Sequence, residues 1–166
     1  MANLGVISGR IWKFGDNIST TDITPFEMFY NVPHTNKDIA FAAIRPDWRD
    51  KVKPGDCIVG GENFGFGSSR TNANDVMKEL KLGCIVADSF ARIFYRNSIA
   101  IGFPIYPCRG VSQLFSEGDE LELDLNRGLV RNRTTGQGLQ DKPYPQQLLE
   151  ILQGGGMMPL LVACRK

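Results

Sequence analysis

Residues 61–70 read Gly-Glu-Asn-Phe-Gly-Phe-Gly-Ser-Ser-Arg, and this stretch decides the fold. A short apolar run at 57–59, Cys-Ile-Val, precedes it, and apolar residues at helical spacing follow it between 76 and 80. That order predicts a buried strand, a glycine-rich turn and a helix over 69–80. The internal glycines of the turn permit positive φ and let the backbone approach a ligand closely.

The turn carries two adjacent hydroxyls and a fixed positive charge, at Ser68, Ser69 and Arg70. The first N–H groups of a helix have no partner within it, and together with the helix dipole they favour an anion at its start. Arg70 adds a planar donor fork that suits a carboxylate or a phosphate. The pattern predicts an anion site with a serine available for acid/base chemistry. The alternative is a plain corner between strand and helix, with Ser68 or Ser69 as an ordinary N-cap.

Two familiar phosphate-binding motifs do not fit the turn. It contains no Gly-Lys-Ser/Thr, which a P-loop requires. The dinucleotide fingerprint also fails, because Arg70 stands three residues after Gly67, where the third glycine belongs. The turn is therefore a different kind of glycine loop.

Length and charge restrict the classes of protein. A chain of 166 residues suits one domain, 1–166. Lys plus Arg number 19 and Asp plus Glu number 18, so no basic excess indicates a nucleic-acid partner. No apolar run approaches the roughly 20 residues that cross a bilayer, and the first residues lack the blocks of a signal peptide. We expect a cytoplasmic protein with neither a nucleic-acid nor a membrane partner.

The cysteines and the single histidine do not form a metal-ligand pattern. Cys57, Cys84, Cys108 and Cys164 are scattered, with no Cys-x-x-Cys, and His34 has no partner histidine. Three of the cysteines lie in apolar runs, where a reduced thiol packs as a small hydrophobe. An iron–sulfur site needs several converging thiolates. We expect this chain to bind no metal by itself.

The order of predicted elements indicates an α/β fold. Strand–helix–strand–helix–strand over 57–106 implies parallel pairing with right-handed crossovers. Anions in such sheets bind at the carboxyl ends of strands, where the glycine turn falls. The segment 118–132 alternates polar and apolar residues around a turn, which predicts an antiparallel hairpin. A helix is predicted over 144–152, and 160–163 is interpreted as a last strand or a docked tail.

The glycine turn is followed, at 88–104, by Asp-Ser-Phe-Ala-Arg-Ile-Phe-Tyr-Arg-Asn-Ser-Ile-Ala-Ile-Gly-Phe-Pro. Together they resemble the small subunit of isopropylmalate isomerase, which corresponds to the swivelling domain of aconitase. The opening at 9–18, Gly-Arg-Ile-Trp-Lys-Phe-Gly-Asp-Asn-Ile, and the Val-Lys-Pro-Gly-Asp turn at 52–56 also match. The resemblance spans nearly the whole chain and is strongest over 53–107. It implies an aconitase swivelling-type fold, three layers in the order β/β/α, with a parallel central sheet and a second antiparallel sheet.

The resemblance implies a partner and a cofactor. The partner is a large subunit that carries a [4Fe-4S] cluster, without which this chain would be inactive. The substrate is a small hydroxy di- or tricarboxylate that loses water and regains it on the neighbouring carbon, first of all in the leucine-pathway conversion of 2-isopropylmalate to 3-isopropylmalate. Small subunits of homoaconitase or of a methylmalate or dimethylmalate (citraconate-type) hydratase are alternatives. A stand-alone anion-binding module is the alternative from another class.

The resemblance also assigns roles within the turn. Ser68 would be the catalytic base, taking as an alkoxide the proton beside a carboxylate. Arg70 would grip that carboxylate, and Ser69 and the Gly67 N–H would complete the pocket. Because a serine hydroxyl is a weak acid, the helix start and Arg70 would have to favour the anion.

Three features depart from the usual family pattern. Thr71-Asn72 stands where relatives commonly have Glu-His, and Thr21 removes an acidic position from the Asp-Thr-Asp loop unless Asp22 substitutes for it. The loop after Pro25 contacts the variable part of the substrate in relatives, with plain packing as the alternative here. Its candidate specificity residues are Phe26, Glu27, Met28, Phe29 and Tyr30. Isopropylmalate, homocitrate-type triacids, citramalate and dimethylmalate all stay open as substrates.

Four further basic residues are considered for the site. Arg92 and Arg96 either line the cleft or form surface ion pairs, and the surface or structural role is favoured. Arg10 and Lys13 are candidates for approaching a second carboxylate, and neither is assigned.

Overall fold

The computed structural model describes residues 5–25 and 36–163. The candidate specificity loop at 26–30, together with His34 and Cys164, lies outside these residues. The described strands are β1 (Val6–Lys13), β2 (Cys57–Gly60), β3 (Ile85–Ala87), β4 (Ile105–Pro107), β5 (Glu120–Asp124), β6 (Leu129–Asn132) and β7 (Gly138–Gln140). The α-helices are α1 (Thr20–Ile23), α2 (Trp48–Lys51), α3 (Asn72–Glu79), α4 (Arg92–Ala100), α5 (Val111–Leu114), α6 (Gln146–Gln153) and α7 (Met157–Ala163).

The strands form one mixed sheet in the order β4-β3-β2-β1-β5-β6-β7. Its parallel half pairs β1 with β2, β2 with β3 and β3 with β4. Its antiparallel half pairs β1 with β5, β5 with β6 and β6 with β7. The expected combination of a parallel sheet with an antiparallel one is therefore confirmed, and the 118–132 hairpin is β5–β6.

β1 belongs to both halves of the sheet. Residues 6–10 pair antiparallel with β5, and residues 11–13 pair parallel with 57–59 of β2. The change of partner comes beside Gly9, where a Cβ would lie 2.1 Å from the Gly55 carbonyl oxygen. This close approach of two backbones explains the glycine in the middle of the strand.

Aromatic side chains secure the base of the glycine turn. Phe64, in the turn, and Phe94, on α4, are both buried, and their ring centroids lie 5.8 Å apart. Phe90 joins them at 6.1 Å from Phe64. The packing fixes the turn against α4, which itself contacts β4, α3, α6 and α7.

The structure corrects one expectation about helices and decides between two alternatives for residues 160–163. The helix after the turn begins at Asn72, so residues 69–71 are not helical and neither serine is its N-cap. Residues 160–163 are not a strand, since they belong to α7, and the contact of α7 with α4 agrees with the alternative of a docked tail. A short apolar run cannot be assigned to strand or helix by periodicity alone. Here the backbone reverses at Gly155 and Gly156, both with positive φ, and a new helix follows.

Candidate active site

The glycine turn lies at the carboxyl end of β2, between segments that follow β1 and β3. Towards β1, the Gly65 N–H donates to the Ile18 carbonyl at 2.7 Å, and the Thr20 N–H donates to the Phe66 carbonyl at 2.8 Å. Towards β3, the Ala91 N–H donates to the Phe64 carbonyl at 2.9 Å. The turn is thus held on both sides by backbone hydrogen bonds, as if it were a short extra strand.

Two glycines of the turn combine positive φ with close packing, so that any side chain there would be strained. Gly65 has φ +81°, and a Cβ there would lie 2.2 Å from the Phe94 ring. Gly67 has φ +118°, and a Cβ there would lie 2.9 Å from the Thr20 hydroxyl oxygen. Positive φ and close contact both require glycine. The observed path of the turn, and with it the placement of the residues that follow, therefore depends on glycine at both positions.

The Ser68 hydroxyl oxygen receives two hydrogen bonds from Arg70. The Arg70 backbone N–H donates to it at 3.2 Å, and the Arg70 Nε–H donates at 3.1 Å. The second donor belongs to a cation, and hydrogen bonds to charged groups are stronger than neutral ones. Donors of this kind favour the anionic form of the oxygen that accepts them. The half-buried Ser68 is thus placed in a locally positive environment.

The structure brings all four predicted site residues together on one turn. Gly67, Ser69 and Arg70 are exposed, and Ser68 is half-buried between them. The positive environment of Ser68 comes from Arg70, because α3 starts later than expected. Thr71, which precedes α3, makes no capping hydrogen bond and instead donates its hydroxyl to Asp75 at 2.8 Å.

Asp22 has a structural contact of its own. Its carboxylate accepts the Ser19 N–H and the Ser19 hydroxyl, both at 2.7 Å. The Ser19 hydroxyl oxygen in turn accepts the Asp22 N–H at 3.0 Å. This reciprocal arrangement is a capping box, and it fixes the start of α1. Thr21, at the position of the lost acid, is exposed.

Arg92 and Arg96 lie on the exposed side of α4. Both line an open cavity of about 360 Å³ with Asp88 and Phe90. Arg96 also lines a second cavity of about 470 Å³, which includes Ser69 and Ile93. Neither arginine forms an ion pair among the described residues. Arg96 therefore lies beside the glycine turn.

Arg10 lies at the opposite, amino end of β2. Its guanidinium pairs with the Asp56 carboxylate at 2.8 Å and stacks on Trp12, 4.6 Å from the ring centroid. Burial alone would raise the pKa of Asp56, but hydrogen bonds from Arg10, Trp12 and the Lys53 amide outweigh it and hold the pKa below its ordinary value. The Arg10 guanidinium is thus paired with Asp56, at the end of β2 opposite the glycine turn. The Lys13 amide donates to Glu117, and its side chain is exposed.

The described cysteines do not suit an iron–sulfur cluster. Cys57, Cys84 and Cys108 are buried free thiols. A hydrogen bond with Cys57 and burial raise the pKa of Cys84, and burial raises the pKa of Cys108 to about 11. Cluster ligands are thiolates. Across residues 5–25 and 36–163, no three His, Cys, Asp or Glu side chains converge as a metal site. The described residues therefore do not fit a cluster held by this chain.

Thr20 and Asn97 contact the turn, and sequence reasoning did not single them out. The Thr20 hydroxyl oxygen accepts the Ser68 N–H at 3.0 Å. The Asn97 amide donates to the Ser69 carbonyl at 3.1 Å. The sequence could not reveal these contacts, because positions 20 and 97 come close to the turn only in the folded chain. The one signal was the run of hydroxyl residues at 19–21.

The geometry agrees with the comparisons with known proteins. The sequence pattern of the aconitase C-terminal domain matches residues 16–105, which include the whole glycine turn. This defines the class as an aconitase-type domain. A crystal structure of 3-isopropylmalate dehydratase from Methanocaldococcus jannaschii superposes with a TM-score of 0.87 at 33% identity, covering 96% of this chain and 95% of that one.

Similar chains narrow the class further. An isopropylmalate/citramalate isomerase small subunit from Methanocaldococcus jannaschii is 46% identical, with 94% of each chain covered. A 3-isopropylmalate dehydratase small subunit from Thermotoga maritima is also 46% identical, covering 94% of this chain and 95% of its own length. The chain therefore belongs to the family of isopropylmalate isomerase (3-isopropylmalate dehydratase) small subunits, hydro-lyases of the aconitase superfamily.

Membership has two broad consequences. Enzymes of the aconitase family use a [4Fe-4S] cluster, and a small subunit by its name has a large-subunit partner.

In the part of the chain that is described, no helix has the length and apolar character needed to cross a bilayer.

Proposed function

We propose that this chain is the small subunit of a 3-isopropylmalate dehydratase, which interconverts 2-isopropylmalate and 3-isopropylmalate in leucine biosynthesis. One observation carries the proposal for the site. The Ser68 hydroxyl oxygen accepts both the backbone N–H and the Nε–H of Arg70, on a turn whose shape two glycines impose. This is an arrangement that favours a serine oxygen as a base beside an anion-binding guanidinium.

In the proposed reaction, Arg70 pairs with a substrate carboxylate and Ser68 removes the proton from the carbon beside it. The C–H bond breaks, the proton passes to the Ser68 alkoxide oxygen, and the electron pair forms a C=C bond. The C–O bond of the neighbouring carbon breaks and its hydroxyl group leaves as hydroxide, so that this hydroxide and the proton on Ser68 together make up the water that is lost. Return of water to the other carbon completes the isomerisation. Gly67, through its N–H, and Ser69 complete the pocket on the exposed side of the turn.

In this proposal Arg70 contacts both the Ser68 oxygen and the substrate carboxylate. A free serine hydroxyl is far too weakly acidic to be a base at neutral pH, so its ionised form has to be stabilised by nearby donors. The Nε–H and backbone N–H of Arg70 supply that stabilisation, and the fork geometry of the same guanidinium suits a carboxylate. Binding the substrate and activating the base are thereby linked in one residue.

We propose that the [4Fe-4S] cluster lies on the large subunit. Gly67, Ser69 and Arg70 are exposed, so a substrate bound to them alone would stay in contact with water. Catalytic sites of this electrostatic kind gain strength when water is excluded. Activity is thus expected only in the assembled complex. The chain acts there as one swivelling-type domain, 1–166, in the cytoplasm, with the large subunit and the hydroxy acid as its partners.

Citramalate is the second candidate substrate, because the relative from Methanocaldococcus jannaschii is named for both acids. The loop residues proposed to contact the part in which isopropylmalate and citramalate differ are Phe26, Glu27, Met28, Phe29 and Tyr30. They come shortly after α1 in the sequence, and α1 contacts the turn. Homocitrate-type and dimethylmalate substrates are the further alternatives.

The test is reconstitution with the large subunit encoded in the same genome. We expect the mixture, and neither chain alone, to convert 2-isopropylmalate, followed by the ultraviolet absorbance of the unsaturated diacid. Citramalate, homocitrate and dimethylmalate are compared in the same assay, and iron is measured on each separated chain. Phosphate or carboxylate binding by this chain alone, with no conversion in the mixture, would support the stand-alone anion-binding module instead.

A further inference from the structure

The backbone around Ser68 is held from both sides by side chains outside the turn. On one side, the Thr20 hydroxyl oxygen accepts the Ser68 N–H at 3.0 Å. On the other, the Asn97 amide donates to the Ser69 carbonyl oxygen at 3.1 Å. The two bonded groups flank the Ser68 α-carbon and the peptide after it. That stretch of backbone is therefore anchored at both of its ends.

Thr20 is itself rigidly placed. It is 5% exposed, its own N–H donates to the Phe66 carbonyl at 2.8 Å, and it is the first residue of α1, whose start the Ser19–Asp22 capping box fixes. Gly67 leaves only enough room for the Thr20 hydroxyl, since a Cβ there would lie 2.9 Å from that oxygen. Thr20 is thus a rigidly held residue to which the turn is hydrogen-bonded.

We infer that Thr20 and Asn97 are positioning residues that keep the Ser68 oxygen at the distance proton transfer requires. The inference rests on the proposed role of Ser68. Proton transfer needs the two heavy atoms within hydrogen-bond reach, about 2.6–3.2 Å. Attraction between a guanidinium and a carboxylate falls only with the inverse of distance. A small shift of the turn therefore slows the chemical step more than it weakens substrate binding.

Thr20→Val tests the inference in the reconstituted complex. Valine keeps the shape of threonine but removes the acceptor of the Ser68 N–H. We expect kcat to fall at least about 10-fold, with KM changed by less than about 3-fold. Thr20→Ser, which keeps the hydroxyl, should restore kcat to within about 3-fold of wild type. Asn97→Ala should lower kcat in the same direction, because it frees the Ser69 carbonyl.

Thr24→Val is the matched control. Thr24 is the C-cap residue of the same short helix, its hydroxyl donates to the Thr20 carbonyl at 3.0 Å, and it is similarly buried. Its backbone N–H donates to the same carbonyl at 2.9 Å, so the helix keeps a hydrogen bond at that point. We expect Thr24→Val to lower thermal stability but to leave kcat within about 2-fold of wild type. A general loosening of α1 would instead affect both variants alike.

Several outcomes would overturn the inference. The first is a kcat of Thr20→Val that stays within about 2-fold of wild type. The second is a kcat that falls equally in Thr20→Val and Thr20→Ser, and the third is a kcat that falls as much in Thr24→Val as in Thr20→Val. If Thr20→Val does not assemble, Asn97→Ala decides, and a normal kcat in that variant overturns the inference. Ser68→Ala is measured alongside. If Ser68→Ala keeps its turnover, the proposed function of the site fails; if it is inactive while Thr20→Val and Asn97→Ala are normal, only the positioning inference fails.

Discussion

Ser68 and Arg70 form a hydrogen-bonded pair on the glycine turn. The Ser68 oxygen accepts two donors from Arg70 and no rearrangement of the turn is needed to reach this state. The sequence alone was sufficient to single out these two residues, because hydroxyl and guanidinium groups after a glycine turn indicate anion chemistry. It was not sufficient to indicate how they contact each other, since that depends on the backbone between them.

The first residue-scale prediction concerns Ser68→Ala. The change removes one half-buried hydroxyl and little volume, so folding and assembly should be preserved. Turnover of the reconstituted complex should fall by at least about 100-fold, because the proposed general base is lost. Steady-state rates and gel filtration of the mixture measure both effects. Near-normal turnover in an assembled complex would show that the base is a different group.

The second residue-scale prediction concerns Arg70→Lys. Lysine keeps the charge but loses the Nε–H donor and the planar fork. Both kcat and substrate affinity should therefore fall, with kcat/KM reduced at least about 10-fold. A raised KM with unchanged kcat would mean that Arg70 only binds substrate and does not assist Ser68.

At the scale of elements, the turn is rigid because backbone hydrogen bonds join it to the segment after β1 and to the segment after β3. Strand, turn, helix and hairpin were predictable from periodicity and turn residues. The start of α3 and the helical state of 160–163 were not, because both depend on packing that local sequence does not encode. The contacts of Thr20 and Asn97 were hidden for the same reason: they join positions far apart in sequence.

Gly65→Ala tests the rigidity of the turn, and Gly136→Ala is its control. Both glycines have positive φ, +81° and +79°, but a Cβ meets the Phe94 ring at Gly65 and nothing within 4 Å at Gly136. Alanine at 136 should cost about 1 kcal/mol of unfolding free energy from backbone strain. Alanine at 65 should cost about 1–3 kcal/mol more, because it also overpacks the core. Urea unfolding measures both, and equal losses would contradict the role of Phe94.

At the scale of the whole molecule, β1 connects the parallel half, which carries the site, to the antiparallel half. The junction is reinforced at the amino end of β2, where Asp56 accepts hydrogen bonds from Arg10 and from the Trp12 indole, both residues of β1. The overall mixture of sheets was predictable from sequence. The sharing of one strand was not, because it depends on which strands pair with the two ends of β1, and these partners lie far away in the sequence.

Asp56 should make stability depend on pH. Its pKa in the folded chain lies below the ordinary 3.8, so its contribution is complete above that value and is lost as pH falls through the folded pKa. Asp56→Asn should cost about 1–3 kcal/mol at pH 7, since it weakens the bonds from Arg10 and Trp12. The difference between wild type and variant should shrink only below the ordinary pKa. A difference that already disappears near neutral pH would rule out this assignment.

The shared strand has a consequence for biosynthesis. Val6 pairs with Asp124, so the antiparallel edge of β1 has no neighbour until almost three quarters of the chain has left the ribosome. Such late pairing slows folding and leaves an open strand edge exposed to aggregation meanwhile. Nascent chains stalled shortly before β5 emerges should therefore be degraded by added protease within β1, whereas chains stalled well after β6 should resist it.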